Sequence, residues 1–242
     1  QQAETSFNKA LQLQPNLAGV RRLLALTNLR MGKEDKGLAL LMPLVEATTP
    51  DIEALSMAAN VYLARGDAAA AETLYARAAR ASPQDAAVRV ALALSRLARG
   101  DNGALDELQA VAQSEKDTTA DLALISARLR RGELDAAQMA IDALGRKQPD
   151  GPLAGQLTGR VAVLRGNSVV ARAAFEGVLR IDASYFPAVA SLVALDVADS
   201  NFAAGQARLE ALMKANPTDM RARVAMIELK ARAGVPRRET IK

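Results

Sequence analysis

The pentapeptide LARGD occurs at residues 63–67 and again at residues 97–101, so its two copies begin 34 residues apart. Glycine adopts the left-handed conformation that ends many helices at little cost, and a following aspartate can cap the next helix. Aligning the chain on this glycine extends the spacing over most of its length, with one step shortened to 32 residues. The aligned positions are Gly32, Gly66, Gly100, Gly132, Gly166, Ser200 and Gly234.

Prolines and polar residues mark the other boundaries of each unit. Pro83, Pro149 and Pro217 each lie 17 residues past a turn position, Pro15 occupies the same place in the opening half unit, and Pro50 is displaced by one residue. Proline ends a helix because it lacks the backbone donor and clashes with the preceding turn. The sequence therefore predicts repeated units of helix, tight turn, helix and stop. The residues predicted to start the second helices are Asp67, Asp101, Glu133 and Asn167.

This pattern resembles the tetratricopeptide (TPR) repeat, a 34-residue helical pair written W-x2-L-G-x2-Y, then A-x3-F, then P. The clearest copy carries Leu55, Ala58, Ala59, Tyr62, Ala71, Tyr75, Ala78 and Pro83 at the motif positions. The resemblance implies an all-α solenoid of helical hairpins that coils into a right-handed superhelix. The predicted units are a half repeat at 1–17, full repeats at 18–51, 52–85, 86–117, 118–151, 152–185 and 186–219, and a half repeat at 220–242.

Small residues are predicted where the two helices of a repeat cross, because only a small side chain fits there. First helices carry Ala59, Ala93 and Gly159 at this position, and aromatic residues such as Tyr75 and Phe175 would fill the surrounding space. Val193 breaks the pattern, which predicts a looser or shifted crossing in its repeat. The other departures in first helices are Ile125 and Ile227.

Composition excludes most catalytic chemistry. The chain has no His, no Cys and no Trp, so Ser-His-Asp and Cys-His arrangements cannot form, and neither can histidine or cysteine metal sites. None of the glycine-rich phosphate-binding motifs is present either. We therefore predict no catalytic residue, no metal site and no cofactor, and we predict that the chain is not an enzyme.

Charge and hydropathy limit the partners. The 31 basic and 27 acidic residues give a net charge of +4, and only 3% of residues are aromatic. Nucleic-acid binders usually concentrate basic residues on one face, often with stacking aromatics, so no nucleic-acid partner is predicted. A membrane-spanning helix needs roughly 18 or more apolar residues in a row, and no such stretch occurs.

The sequence opens inside an amphipathic helix, which indicates a fragment of a longer protein.

Four arginines precede the turn glycines at the repeat spacing, namely Arg65, Arg99, Arg131 and Arg165. They could form a row of anion-binding groups. The simpler interpretation is that a cation at a helix C-terminus faces the negative end of the helix dipole. We prefer the second interpretation.

The TPR resemblance implies a protein or peptide ligand in a concave groove lined by first helices, at their second, fifth, ninth and twelfth positions. An alternative role for the leucines at these positions is packing against neighbouring repeats. The predicted groove residues are Arg22, Leu26, Leu29, Glu53, Ser56, Asn60, Leu94, Leu122, Ser126, Leu129, Gln156 and Arg160.

A closer resemblance rests on "LRRGELDAA" at 129–137, "RIDASYFPA" at 180–188 and "LALLMPLVEA" at 38–47. These stretches are similar to the TPR-repeat lipoprotein of the PEP-CTERM/exosortase system. That resemblance implies a bacterial protein that accompanies exopolysaccharide gene clusters and exosortase-dependent protein sorting. It also implies a lipid tether upstream and a location in the periplasm or at the outer membrane.

Several functional hypotheses follow. The first is an interaction scaffold in such an export or sorting system. The second is the substrate-recognition region of a larger enzyme or secretion component. Direct polysaccharide binding is a third, for which Tyr185 and Phe186 would be the aromatic platforms. A homodimer through the exposed end repeats is also predicted, because cut repeats leave apolar surface uncovered.

Overall fold

The computed structural model describes residues 2–14, 17–114 and 118–234, which contain fourteen α-helices and no strand. The all-α prediction is confirmed. The helices are α1 (Gln2–Leu13), α2 (Ala18–Arg30), α3 (Glu34–Val45), α4 (Ile52–Ala64), α5 (Ala68–Ala81), α6 (Ala86–Ala98), α7 (Ala104–Ser114), α8 (Thr119–Arg130), α9 (Leu134–Lys147), α10 (Pro152–Leu164), α11 (Ser168–Ile181), α12 (Phe186–Ala198), α13 (Phe202–Ala215) and α14 (Met220–Arg232).

The chain divides into two compact halves, residues 1–124 and residues 125–242, and the division falls inside α8. In the N-terminal half, a core of alanines and leucines from α2 to α6 encloses Tyr75. In the C-terminal half, one core surrounds Phe175 and a second surrounds Leu209. Each predicted full repeat contains one pair of helices, and the repeat boundaries themselves remain a prediction.

The turns between paired helices have the predicted backbone. All six aligned glycines have positive φ, between 70° and 88°. Ser200 has φ of 58° and is the one non-glycine residue with positive φ in the described ranges. The prolines also act as expected, because α5, α9 and α13 end two residues before Pro83, Pro149 and Pro217. Pro15 lies outside the described residues.

Ser200→Gly is expected to stabilise the chain. A side chain in the left-handed region costs roughly 1 to 2 kcal/mol relative to glycine, part of which is offset by the greater flexibility of glycine in the unfolded chain. We expect a gain of about 0.5 to 1 kcal/mol in the free energy of unfolding, measured by urea denaturation. Gly166→Ser, the converse change in a neighbouring repeat, should lower stability, and a loss of stability in Ser200→Gly would contradict the expectation.

Helix starts follow the predicted capping only in part. Asp67 accepts a hydrogen bond from the Ala70 N–H at 2.9 Å, and Asn167 accepts one from the Val170 N–H at 3.0 Å. Asp101 instead binds the Gly103 N–H at 2.9 Å, because α7 begins one turn later, at Ala104. Glu133 makes no capping hydrogen bond. The predicted helix start is therefore correct at Glu133, which precedes α9 directly but does not cap it with its side chain, and wrong at Asp101.

Paired helices cross closely because one partner is small. A Cβ atom on Gly159 would lie 2.3 Å from Cε1 of Phe175, so glycine makes room for the ring. In the first full repeat the small residue is Gly37, on the second helix, and it faces Leu29. Val193, which breaks the sequence pattern, is buried and faces Gly205, where an added Cβ atom would lie 3.4 Å from its Cγ1, so this crossing is less tight. Either helix can supply the small residue, so the tight crossing does not require it on the first helix.

Candidate functional site

The predicted groove positions differ widely in exposure. In the N-terminal half, Glu53 and Asn60 are exposed, and the other predicted positions are half-buried. In the C-terminal half, Ser126 and Arg160 are exposed, whereas Gln156 is buried. The half-buried positions are Arg22, Leu26, Leu29, Ser56, Leu94, Leu122 and Leu129.

An ion pair brings Arg22 of α2 to the start of α4. Its Nη1 lies 2.6 Å from Oδ2 of Asp51, and its Nε lies 2.8 Å from Oε2 of Glu53. Asp51 also caps α4, because its Oδ1 accepts the Ala54 N–H at 2.9 Å. The side chain of Asp51 is 14% exposed and that of Glu53 is 72% exposed. Two of the predicted groove residues, Arg22 and Glu53, are therefore in direct contact.

These charged residues border an open pocket of about 480 Å³. The connection between α3 and α4 supplies one wall, which the sequence did not identify as part of a site. The lining residues are Ala18, Arg22, Leu44, Ala47, Thr49, Pro50, Asp51, Ile52 and Glu53.

Asn60 has a second role in the core. Its Oδ1 accepts a hydrogen bond from the Tyr75 hydroxyl at 2.7 Å, although the two residues lie on different helices. Tyr75 is 2% exposed, and burial raises the pKa of its phenol to about 12. A substitution of Asn60 would leave a buried hydroxyl without its acceptor, so Asn60 is a poor position at which to test ligand binding alone.

The raised pKa of Tyr75 predicts a loss of stability at alkaline pH. A folded-state pKa above the unfolded value of about 10 stabilises the fold fully below pH 10, and this contribution is lost as the pH rises toward 12. A shift of two pKa units corresponds to roughly 2 to 3 kcal/mol. Across this pH window, the free energy of unfolding measured in urea should fall more steeply for wild type than for the Tyr75→Phe variant. Equal slopes would contradict the assignment.

In the C-terminal half, Gln156 links two first helices. Its Nε2 donates to Ser191 Oγ at 3.1 Å and to the Pro187 carbonyl at 3.4 Å. Its Oε1 is buried without a hydrogen-bond partner in the described part of the chain. Arg160, one turn further along α10, is exposed and forms no ion pair with any described residue. Arg160 is therefore available to a ligand, whereas Gln156 mainly joins α10 to α12.

A second pocket, of about 400 Å³, lies between α12 and α14. The Arg221 guanidinium lies 4.9 Å from the centroid of the Phe186 ring, so it covers one face of that ring. Tyr185 packs against the buried core around Phe175. Both aromatic residues are half-buried, and direct sugar binding at them remains a prediction. The pocket is lined by Phe186, Met220, Arg221, Val224, Ala225 and Glu228.

The arginines before the turns are paired with carboxylates. Arg65 lies 3.1 Å from Glu34 and 2.7 Å from Asp35, both in the first turn of α3. These carboxylates raise the pKa of the Arg65 guanidinium. Arg165 lies 2.5 Å from Asp135 in the first turn of α9. Arg99 forms an ion pair with Glu72, and Arg131 forms one with Glu133. Carboxylates of the chain already occupy these guanidinium groups, which argues against an anion-binding row.

No protein-family model and no curated protein sequence matches the chain. Solved structures do match. Yeast Tom70 aligns with a TM-score of 0.69 at 12% identity over 96% of this chain. A tetratricopeptide repeat protein from Parabacteroides merdae aligns with a TM-score of 0.64 at 14% identity, over 94% of this chain and 91% of that protein. The chain has the TPR fold.

A third structure with the TPR fold is YrrB, described as a TPR protein with an unusual peptide-binding site. It aligns with a TM-score of 0.51 at 20% identity, over 76% of this chain and 95% of YrrB. The alignment with Tom70 covers 51% of the Tom70 chain, so this chain spans about half of that protein. At these identities the likeness establishes the fold alone. The handedness of the superhelix and the resemblance to the PEP-CTERM/exosortase lipoprotein remain predictions.

The described residues contain neither a candidate membrane span nor a candidate metal cluster. Among them, no helix combines the length and the apolar character that crossing a bilayer requires. Within the same ranges, no three His, Cys, Asp or Glu side chains lie close enough together to hold a metal ion.

Proposed function

We propose that the chain is a non-catalytic scaffold that binds an extended peptide or a helix of a partner protein along its first helices. One observation carries the proposal: the pocket between α2 and α4 is open, borders the exposed Glu53 side chain and is formed largely by residues that the core does not bury. Half-buried leucines on the same helices, such as Leu26, add apolar surface beside it. Apolar surface with a few placed polar groups is what peptide grooves offer.

The proposal extends to a bacterial exopolysaccharide or exosortase-dependent sorting system at the cell envelope, in the periplasm or at the outer membrane, with a lipid tether outside this sequence. Residues 129–137 and 180–188 support it, because they are similar to the lipoprotein of that system. The first stretch spans the turn between α8 and α9, and the second forms the connection between α11 and α12.

Site-specific photo-cross-linking tests the scaffold role. A photoreactive residue replaces Glu53 in one variant and Arg160 in another, because both side chains are exposed on first helices. Gln109, which is exposed on the second helix α7, is the matched control position. The variants are irradiated in an envelope extract from a bacterium that carries an exosortase gene cluster, after circular dichroism shows equal helicity.

We expect discrete protein adducts from positions 53 and 160 and none from position 109. Adducts of equal pattern from all three positions, or adducts only from the control, would refute the groove as the binding surface. Mass spectrometry of the adducts tests the cellular context separately. Partners encoded outside such gene clusters would leave the scaffold role intact and remove the exosortase assignment.

A further inference from the structure

We infer that the pocket beside Arg22 and Glu53 binds a lysine or arginine side chain of the partner segment. The inference rests on the proposed function, because it specifies the ligand chemistry of the same groove. It is drawn from the charges, the exposure and the lining of this pocket, all of which lie in the N-terminal half.

The guanidinium of Arg22 is already compensated. Its Nη1 binds Asp51 at 2.6 Å and its Nε binds Glu53 at 2.8 Å, so it faces two carboxylates. An incoming carboxylate or phosphate would have to approach between these two negative charges. Like charges at such distances repel. Arg22 therefore acts as a positioning residue that holds the two acidic side chains, and it is a poor anchor for an anionic ligand.

The three charged side chains leave the pocket with an excess of one negative charge. Both carboxylate oxygens of Asp51 have partners within the fold, because one caps α4 and the other binds Arg22. Glu53 contacts Arg22 through Oε2, and its side chain is 72% exposed. Glu46, which precedes the lining residue Ala47 in the α3–α4 connection, is also acidic and exposed. The accessible charge is thus the Glu53 carboxylate, which suits an ammonium or guanidinium group.

The walls of the pocket fit the rest of a basic side chain. Ala47, Pro50 and Ile52 offer apolar surface next to the charged edge. Lysine and arginine bury their aliphatic stems along apolar surface and keep the charged head in water. A basic side chain would therefore satisfy both parts of this pocket. An apolar side chain would form no ion pair with Glu53, and an acidic side chain would be repelled by its carboxylate.

Three matched peptides test the inference on the whole chain: acetyl-Leu-Arg-Leu-amide, acetyl-Leu-Ala-Leu-amide and acetyl-Leu-Glu-Leu-amide. Binding is followed by NMR titration at low ionic strength, using the backbone amides of residues 47–49 and 51–53 as reporters. We expect the arginine peptide to bind about fivefold more tightly than the alanine peptide, the size of one good exposed ion pair. The glutamate peptide should bind most weakly. Added salt should reduce the preference.

Glu53→Gln should remove the preference for the arginine peptide over the alanine peptide. Asp150→Asn is the control, because it makes the same change in net charge at an exposed residue that does not line the pocket. Equal binding of the three peptides, a preference for glutamate, or no shift at residues 47–53 would each overturn the inference. The cross-linking variant at position 160 decides the scaffold role independently, since it retains Glu53 and requires no basic ligand.

Discussion

Asp196→Ala is expected to lower the free energy of unfolding of the C-terminal half by about 3 kcal/mol. The Asp196 side chain is only 3% exposed, and it binds Nη1 of Arg172 at 2.5 Å and Nε of Arg208 at 3.0 Å. Asp196 and the more exposed Asp199 together raise the pKa of Arg172. Removing Asp196 leaves Arg172 with Asp199 and Arg208 with Glu176, two exposed carboxylates that compensate these half-buried charges less well. The two arginine side chains are each about a quarter exposed. This partial exposure places the expected loss at the lower end of the range for a broken buried ion pair.

Urea denaturation followed by circular dichroism measures the loss. Asp199→Ala is the matched control, because Asp199 lies 2.6 Å from the same arginine but is 59% exposed. Exposed ion pairs contribute about 0.2 to 1 kcal/mol, so this control should change stability little. If the two alanine variants were equally stable, burial of Asp196 would not be the source of its contribution.

Gly159→Leu is expected to destabilise the C-terminal half by about 2 to 3 kcal/mol, through overpacking. A Cβ atom alone would lie 2.3 Å from Cε1 of Phe175 and 2.6 Å from two further ring atoms. Phe175 is 1% exposed, so its ring has no empty space to enter. The leucine would push α10 away from α11, and the crossing that buries Phe175 would open.

Gly177→Ala is the control for this change, since Gly177 lies on α11 close to Phe175. A Cβ atom there would meet only the flexible end of Arg180, at 3.4 Å. Alanine favours a helix over glycine by about 1 kcal/mol, so this variant should be as stable as wild type or more stable. In the double variant Gly159→Leu, Phe175→Ala, part of the loss should be recovered, because the ring that the leucine meets is gone. A thermal unfolding midpoint for Gly159→Leu equal to that of wild type would disprove the close crossing.

The exposure of the predicted groove residues was predicted unevenly, and their role in binding remains a prediction. Glu53 and Arg160 are exposed as the sequence suggested, whereas Gln156 is buried and joins two helices. Asn60 is exposed but also accepts a hydrogen bond from the Tyr75 hydroxyl. Position in the repeat predicted the helix on which each residue lies. It could not predict neighbours, because these depend on side chains from other helices. The wall supplied by the α3–α4 connection lies outside the repeat pattern, so no spacing rule pointed to it.

The sequence by itself located the seven aligned turn positions, all of which have positive φ. A glycine in the left-handed conformation and a proline after the second helix each act on the residues next to them, and both recur at a fixed spacing. They can therefore be recognised without tertiary contacts. Ser200 shows how strong this signal is, because it adopts the same backbone as the six glycines despite its side chain.

Only the tertiary structure decided which charges are paired. Arg96 of α6 binds Glu72, whereas Asp196, at the equivalent position of α12, binds Arg172. Both pairs join residues 24 positions apart, but their signs are reversed. A helix interface needs only that opposite charges meet, and either helix can supply either sign. Local sequence therefore fixes the repeat, and long-range packing selects the partners that hold neighbouring repeats together.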